Sequence, residues 1–273
     1  MTKFSLIQLN TGCDPNKSFE ILKKYITKAA HSGSKFICTP ETTNIMEVRN
    51  SLLFKKIYSE KEDIYLEKIL RLAKDLKIWI NLGSWILKDK KNKAVNRTIL
   101  INPEGLIHAR YDKIHLFDVK ISEKERYLES KTYSYGNKAV VTKTPFGSLG
   151  LSICYDLRFP YLYRDLATNG AEIIFVPSAF TYETGKVHWH SLLTARAIET
   201  GSYVIAAAQK GIHENKRRTY GHSLVIDPWG EIVAEKKSGI GLMDFDIDLK
   251  KVKNARSKIP SIYTNKKYKI IRN

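Results

Sequence analysis

Short apolar runs, each the length of a β-strand, alternate along this chain with longer stretches whose apolar residues recur at helical spacing. Residues 173–176 are typical of the apolar runs, and Phe19, Leu22 and Ile26 show the helical spacing. This alternation favours an α/β fold in which helices cover sheets. With 273 residues, 43% hydrophobic, the chain can bury a sizeable core. It has no Pro/Gly/Ser-rich linker and no short repeat, so we predict a single domain over residues 1–273.

The boundaries of the predicted elements come from apolar periodicity together with Gly, Pro and Asn stop signals. The predicted strands are 4–9, 36–38, 78–87, 98–101, 106–110, 149–153, 173–176, 203–208, 223–226, 232–234 and 242–247. The predicted helices are 14–33, 64–76, 159–168, 189–200 and 249–259.

The cysteines and the apolar runs indicate which cellular compartment and which cofactors to expect. An odd number of cysteines, at 13, 38 and 154 with no CxxC pair, argues against a disulfide framework and a zinc site. We therefore expect no metal and no cofactor. The apolar runs are too short to span a membrane, and the first residues lack a signal-peptide core. Free thiols suit a reducing compartment, so we expect a cytoplasmic protein.

The formal net charge is +18. A charge of this size is compatible with nucleic-acid binding, with compositional bias, or with a field that attracts anionic small molecules. The basic residues are spread along the chain, although the stretch after Asp248 contains no acidic residue. Because no RNA-recognition or helix-turn-helix motif accompanies them, we predict a small anionic substrate and no nucleic-acid partner.

Three polar residues each follow a predicted strand: Glu41, Lys113 and Cys154. Ligands of open α/β sheets bind outside the carboxyl ends of strands, so these side chains are expected to converge on one crevice. Strand ends also carry polar residues for ordinary structural reasons.

Cys154 lies where a strand turns into a helix, a position at which a nucleophile projects from the sheet and a helix N-terminus favours a thiolate. The alternative is a buried, inert cysteine. No histidine forms an evident Cys/His pattern, so a carboxylate must act as base, and Glu41 is the candidate. Lys113 would lower the thiol pKa and stabilise an oxyanion. Taken singly, Glu41 also fits a helix start and Lys113 fits an ordinary surface lysine.

Four strings in order resemble the signatures of the nitrilase superfamily of carbon–nitrogen hydrolases, and the resemblance covers nearly the whole chain. They are Thr39-Pro-Glu41, Arg110-Tyr-Asp-Lys113-Ile-His-Leu-Phe, Tyr127-Leu-Glu129-Ser and Ile153-Cys154-Tyr-Asp-Leu-Arg-Phe. The resemblance implies an α-β-β-α sandwich, a homodimer, and hydrolysis of non-peptide C–N bonds. It also implies that Glu129 orients the lysine and the substrate amide nitrogen, and that the Tyr155 N–H joins Lys113 as an oxyanion donor.

Further strings look like the deaminated glutathione amidase branch, and the related ω-amidases share several of them. They are Thr184-Gly-Lys-Val-His188-Trp189, Ala195-Arg196-Ala-Ile-Glu199, Ala206-Ala-Ala-Gln209, Tyr220-Gly-His222-Ser and Asp227-Pro-Trp229-Gly. We predict that His188 and Trp189 line the substrate pocket, although aromatic residues at such positions also serve in packing. Arg196 and Glu199 are better explained as a pair bracing a helix. The chain departs from the branch pattern at Tyr135, Tyr161 and Thr194, which bears on the substrate and not on the chemistry.

These observations favour a cysteine-dependent amidase acting on a small carboxylate-bearing amide, with deaminated glutathione as the first candidate substrate. An ω-amidase acting on α-ketoglutaramate and an N-carbamoyl or nitrile hydrolase are alternatives of the same class. A non-catalytic binding scaffold and a nucleic-acid protein are alternatives of other classes. The presence of all four residues Glu41, Lys113, Glu129 and Cys154 argues against a scaffold.

Overall fold

Two β-sheets packed face to face form the framework of the protein. The structure is a computed structural model that describes residues 2–89, 92–123 and 125–272. In chain order its helices are α1 (Pro15–His31), α2 (Asn50–Lys56), α3 (Ile64–Leu76), α4 (Pro160–Thr168), α5 (Tyr182–Thr200) and α6 (Leu249–Lys258). The strands are β1 (Thr2–Gln8), β2 (Phe36–Cys38), β3 (Trp79–Lys88), β4 (Ala94–Ile101), β5 (Ile107–Asp112), β6 (Asp118–Lys120), β7 (Arg126–Leu128), β8 (Tyr133–Ser134), β9 (Val140–Thr144), β10 (Gly147–Leu151), β11 (Ile173–Phe175), β12 (Tyr203–Ala206), β13 (Lys210–Ile212), β14 (Arg218–Tyr220), β15 (Ser223–Ile226), β16 (Ile232–Lys236) and β17 (Gly241–Ile247).

The first sheet has the order β17-β1-β2-β3-β4-β5, with β8 added beside β4, and the second has the order β16-β15-β12-β11-β10-β9. The central strands β1, β2 and β3 are parallel, as are β10, β11 and β12. Parallel strands present their carboxyl ends at one edge, which is where polar groups gather in such sheets.

The core between the sheets is aromatic at its centre. Phe36 of the first sheet stacks on Phe175 of the second with ring centroids 5.5 Å apart, and Phe4 stacks on Phe36 at 5.1 Å. Helices cover the outer faces: α1 and α3 bury residues such as Leu22 against the first sheet, and α4 and α5 bury residues such as Leu193 against the second. The predicted α-β-β-α sandwich is confirmed.

The helices are amphipathic, which follows from this layered packing. In α1 the buried residues include Phe19, Leu22 and Ile26, while lysines occupy the exposed positions. Over the described ranges, no helix is both long enough and apolar enough to cross a membrane.

Most predicted elements agree with the structure to within about three residues, a usual boundary error for such signals. The helix predicted to begin at residue 189 instead begins at Tyr182. Gly185, a weak helix former, lies in its first turns. A Cβ at that position would lie 2.4 Å from the Tyr220 side chain, so the glycine allows α5 to approach β14 closely. Helix α2 and the short strands β6 to β9, β13 and β14 were not predicted.

Candidate active site

Glu41 lies in a turn that follows β2 and is held against β3. The Gly83 N–H donates to Thr39 Oγ1 at 3.0 Å, and the Ser84 N–H donates to the Pro40 carbonyl at 3.1 Å. A Cβ at Gly83 would lie 1.9 Å from the Thr39 carbonyl oxygen, so only glycine permits this approach. The turn therefore fixes the backbone that carries the Glu41 carboxylate, which is buried.

Lys113 follows β5 directly, and its side chain is 2% exposed. Its Nζ donates to Glu41 Oε1 at 2.9 Å, and to Glu129 Oε1 and Oε2 at 3.1 and 2.9 Å. Glu129 begins the 3-10 helix that follows β7, and its Oε2 also accepts the Phe117 N–H at 2.6 Å. The structure thus joins one buried ammonium group to two carboxylates.

Cys154 begins a 3-10 helix, Cys154–Arg158, that lies between β10 and α4. Its backbone φ is +46°, a left-handed conformation that is uncommon for a residue with a side chain. Such strain persists only where the surroundings fix it, and it is found most often at functional sites. Here the Cys154 N–H is held by the Pro177 carbonyl at 3.0 Å. Among the described residues, no acceptor binds the next N–H, that of Tyr155.

Three residues that the sequence did not identify as part of the site support the Glu41 carboxylate and its backbone. Asn96 Nδ2 donates to Glu41 Oε1 at 3.0 Å and reaches Glu129 Oε1 at 3.4 Å. The Ala179 N–H donates to Glu41 Oε2 at 2.8 Å, and Gln209 Nε2 donates to the Glu41 carbonyl at 2.9 Å. Gln209 ends one of the strings that resemble the amidase branch, whereas Asn96 and Ala179 carry no local signal.

Asp156, which is fully buried, ties the Cys154 segment to the Lys113 segment. Its Oδ1 accepts the His115 N–H at 3.0 Å. Its Oδ2 accepts the Tyr111 hydroxyl at 2.7 Å and the Ile153 N–H at 2.8 Å. The residues flanking Lys113 and those flanking Cys154 thus share one buried carboxylate, which gives a physical reason for the two strings to occur together.

The charges of the site are set by its burial and by its pairing. Burial lowers the pKa of Lys113, but the Glu129 and Glu41 carboxylates outweigh it and hold that pKa well above its ordinary value. Burial raises the pKa of Glu41, but the Lys113 ammonium, with a smaller contribution from Arg217, brings it below the ordinary value. The site therefore contains an ammonium group and an ionised Glu41 at neutral pH.

Burial and the neighbouring charges together set the protonation state of Cys154. Burial raises its pKa well above the ordinary value of a thiol, the Glu41 carboxylate raises it further, and Lys113 opposes both with a smaller effect. Lys113 does lower the thiol pKa, as expected, but its effect is smaller than those of burial and of Glu41, so the pKa of the Cys154 thiol is raised on balance. Cys154 is therefore a protonated thiol beside an ionised Glu41. Cys154 also lies at the start of a short 3-10 helix and not at the start of α4, which begins at Pro160.

These groups lie in a cavity of about 310 Å³, a size suited to a small ligand. Its wall combines the charged cluster with apolar and aromatic side chains. The lining residues are Glu41, Thr42, Ile45, Met46, Glu47, Val48, Asn50, Leu53, Asn96, Lys113, Phe117, Arg126, Tyr127, Leu128, Glu129, Thr132, Tyr133, Cys154, Tyr155, Ala179, Phe180, Thr181, Thr184 and Arg217. Of the predicted substrate-binding residues, Tyr155 lies in this wall.

The other two predicted substrate-binding residues lie elsewhere, and here the structure corrects the prediction. Trp189 is fully buried in the core, packs on Phe180, and donates its indole N–H to the His222 carbonyl at 2.8 Å. His188 is exposed on α5, with Nδ1 3.3 Å from an Arg158 nitrogen. Because α5 begins seven residues earlier than predicted, neither residue is at its start, and Thr184 of the first turns reaches the cavity instead. Arg196 is buried and pairs with Glu199 at 2.9 Å, as expected, and its Nε also donates to the Leu157 carbonyl at 3.0 Å.

One group of potential metal ligands occurs outside the cavity, from residues far apart in sequence. Possible ligand atoms of His190, His222 and Glu235 lie within 4.8 Å of one another. Glu235 Oε1 already hydrogen-bonds to both rings, at 3.0 Å from His190 Nε2 and 2.7 Å from His222 Nδ1. These three residues were not anticipated as a cluster, since spacing along the chain does not reveal it.

The sandwich and the buried glutamate–lysine–cysteine arrangement define a class of enzyme, and comparison with known proteins agrees. Residues 3–257 match the carbon-nitrogen hydrolase family, so the chain belongs to that family and is a hydrolase of carbon–nitrogen bonds. It is 39% identical to a deaminated glutathione amidase of Dictyostelium discoideum, over 99% of this chain and 96% of that protein. It is 37% identical to a protein of the same name from Yersinia enterocolitica, over 96% of this chain and 92% of that one.

Solved structures agree with the fold. The Saccharomyces cerevisiae protein Nit3, described as a member of the nitrilase superfamily, matches with a TM-score of 0.84 and 30% identity, over 95% of this chain and 94% of that one. The Caenorhabditis elegans NitFhit protein matches with a TM-score of 0.87 and 36% identity, over 95% of this chain and 63% of that longer one.

Proposed function

We propose that this protein is an amidase that uses Cys154 as nucleophile and forms a thioester intermediate. The observation that carries the proposal is the placement of a buried thiol against an ionised Glu41 and a doubly paired Lys113 in one cavity. Glu41 takes the thiol proton as the sulfur attacks the amide carbonyl, so the thiolate exists only as the C–S bond forms. The oxyanion that results receives donors from Lys113 Nζ and the unpaired Tyr155 N–H.

Collapse of this tetrahedral species breaks the C–N bond, and Glu41 returns the proton to the departing amine or ammonia. Glu41 then deprotonates a water that attacks the thioester, releasing the carboxylic acid and restoring the thiol. Glu129 holds Lys113 in place with two hydrogen bonds and keeps it charged. The acid–base steps are assigned to protein side chains, so we expect activity that does not require a metal.

For the substrate we propose a small amide that carries a carboxylate, with deaminated glutathione preferred. Two relatives with that activity in their names align over almost all of this chain, and the net charge of +18 favours anionic ligands. The test is to compare kcat/KM for deaminated glutathione, α-ketoglutaramate and a neutral nitrile or carbamoyl compound. The expected order places deaminated glutathione first. A higher value for α-ketoglutaramate would replace the proposal with an ω-amidase, and a higher value for a neutral compound would leave only C–N hydrolysis.

We also propose that the enzyme is a homodimer that pairs through α5. Its exposed side carries Val187, Ser191, Ala195 and Ile198, positions that repeat on one helical face. Val187 is 65% and Ile198 54% exposed, and a second copy of the chain packed on this face would cover both apolar side chains. Light scattering should give a mass of two chains, and Ile198→Glu should shift it towards one. A wild-type mass of one chain would contradict this proposal.

A further inference from the structure

The positively charged side chains of the cavity differ in whether they already form an ion pair with a carboxylate. Lys113 is bound to two glutamates, and Glu47 in the same wall is paired with Arg49 and Lys56, which lie on its outer side. Arg217 also lines the cavity, and within the described part of the chain no carboxylate forms an ion pair with it. Its positive charge is therefore available to a ligand.

The Arg217 guanidinium is held in place but is not saturated. Its Nη2 donates to the Ala179 carbonyl at 2.6 Å, and its central carbon lies 5.2 Å from the ring centroid of Tyr127. Its Nε is buried and, among the described residues, has no hydrogen-bond acceptor. The Nε is too deeply buried for a ligand to reach, but within the described part of the chain Nη1 has no hydrogen-bond acceptor and Nη2 has one, so N–H groups at the end of the guanidinium remain for a ligand in the cavity.

The backbone that carries Arg217 is fixed by the turn between β13 and β14. The Arg217 N–H donates to Asn215 Oδ1 at 2.9 Å, and its carbonyl accepts the His213 N–H at 2.9 Å. Asn215 Nδ2 in turn donates to the Met46 carbonyl at 2.7 Å, which ties the turn to the cavity wall. A charge fixed in this way can orient a ligand without a large ordering cost.

We propose that Arg217 binds the substrate carboxylate, and thereby selects amides that carry a carboxylate at the end remote from the scissile bond. This inference rests on the proposed amidase function and adds the residue that recognises the negative charge of the substrate. Arg217 lies next to the catalytic residues, since the residue that accepts its hydrogen bond, Ala179, donates its N–H to Glu41. A guanidinium suits this role because its planar N–H groups match the two oxygens of a carboxylate. Arg126 also lines the cavity, but it is exposed and its charge is screened by solvent.

The test compares two amides that differ only at the remote end: glutaramate, which carries a carboxylate, and pentanamide, which carries a methyl group. The quantity measured is the ratio of kcat/KM for glutaramate to that for pentanamide. Where pentanamide turns over too slowly, protection of Cys154 from iodoacetamide gives the dissociation constants of both amides instead. Arg217→Gln should lower the ratio about 10- to 100-fold, the loss expected for one charge-assisted pair, mainly through KM for glutaramate. Arg217→Lys should retain part of the preference for glutaramate over pentanamide.

The matched control is Arg218→Gln, which removes the same charge from the next residue. Arg218 is exposed, and its guanidinium lies over the Tyr182 ring at 3.4 Å, outside the cavity wall. In Arg218→Gln the ratio should stay within about threefold of the wild-type ratio, because a surface charge outside the cavity attracts the substrate only through a field that salt screens. Thermal unfolding of each variant separates misfolding from lost recognition.

An unchanged ratio in a folded Arg217→Gln enzyme that still hydrolyses glutaramate would overturn the role of Arg217 and leave the amidase proposal standing. A wild-type protein that hydrolyses no amide and forms no adduct at Cys154 would overturn the proposed function itself. An equal fall in Arg217→Gln and Arg218→Gln would show that only the overall charge matters, which also contradicts the inference.

Discussion

At the scale of single residues, the site places a protonated Cys154 beside an ionised Glu41. Burial disfavours the charged form of both groups, but Lys113 stabilises the Glu41 carboxylate more than the thiolate, and the proton stays on sulfur. A protonated thiol is a weak nucleophile, so reactivity depends on the neighbouring base. In the proposed mechanism the thiolate forms only when a substrate carbonyl lies beside the sulfur.

We therefore expect Glu41→Gln to lower kcat/KM for amides by at least ~10³-fold while the fold is retained, since a thiol with a raised pKa then has no base. Initial rates and circular dichroism measure the two parts of this prediction. Glu67→Gln, at an exposed position of α3, removes the same charge and should keep full activity. An active Glu41→Gln enzyme would show that another group removes the thiol proton.

At the scale of secondary-structure elements, the active site depends on how loops from the two sheets are joined. The segment before α4 carries Cys154, and the segment after β5 carries Lys113. Asp156 accepts hydrogen bonds from both segments while fully buried. Asp156 does not line the cavity, so we expect it to act by holding the two segments in position.

Asp156→Asn should therefore lower kcat by about 10²-fold, because a displacement on the order of 1 Å between catalytic groups has an effect of that size. It should also lower the free energy of unfolding by about 2–4 kcal/mol, since an amide cannot accept all the hydrogen bonds that a buried carboxylate does. Kinetics and chemical denaturation measure the two effects. Asp165→Asn, exposed on α4, is the control. A wild-type kcat and a wild-type free energy of unfolding in Asp156→Asn would show that Asp156 does not hold the two segments together.

The turn between β13 and β14 contains His213, which is buried and neutral. Its Nδ1 donates to the Thr11 carbonyl at 2.9 Å, and its Nε2 accepts from Thr219 Oγ1 at 2.7 Å. Burial lowers the pKa of His213 from 6.5 to about 4; the Thr11 hydrogen bond opposes this shift, and the nearby Arg217 adds to it. Because the folded pKa lies below the unfolded one, the unfolded chain binds a proton first as the pH falls.

The free energy of unfolding should thus decrease between pH 6.5 and about 4, by up to ~3 kcal/mol from this residue, and remain level with respect to it above pH 7. Denaturant titrations across this range should show a shallower decrease in His213→Gln. His31→Gln, on the exposed side of α1, should follow the wild type. The same slope in all three proteins would contradict the assignment.

Element prediction succeeded where apolar periodicity is long and failed where contacts between elements decide the structure. The strand β3 and the helix α3 follow from their own sequences. The early start of α5 depends on Gly185 fitting against Tyr220, which is a tertiary contact with no local signal. This error also misplaced His188 and Trp189 with respect to the cavity.

At the scale of the whole molecule, the edge of the sandwich brings residues 41, 113, 129 and 154 together. Strand ends alone predict that residues 41, 113 and 154 converge on one crevice, whereas the inclusion of Glu129 came from the resemblance to a family. Glu129 had no strand-end signal because β7 is short and was not predicted. Arg217 was not identified from the sequence because its place in the cavity wall, with no ion pair to a described carboxylate, is visible only in the side-chain geometry.

The overall charge of +18 should increase the encounter rate with anionic amides. We expect kcat/KM for deaminated glutathione to fall several-fold as ionic strength rises from about 0.05 to 0.5 M, because the Debye length shortens below about 10 Å. The value of kcat should change less, and a neutral amide such as propionamide should show a flat response. Steady-state kinetics in a series of KCl concentrations measure this. Equal responses for both amides would mean that the charge does not steer the substrate.

The central claim, that Cys154 forms a thioester with the acyl group of an amide, is tested most directly by acid quenching during turnover followed by peptide mass spectrometry. The account predicts one added acyl group, located on the peptide that contains Cys154, together with release of one amine per adduct. Cys154→Ala should show no adduct and at least ~10³-fold less activity, whereas Cys38→Ala and Cys13→Ser should retain both. Steady turnover with no adduct on Cys154, or activity in Cys154→Ala above about a hundredth of the wild-type value, would contradict the account.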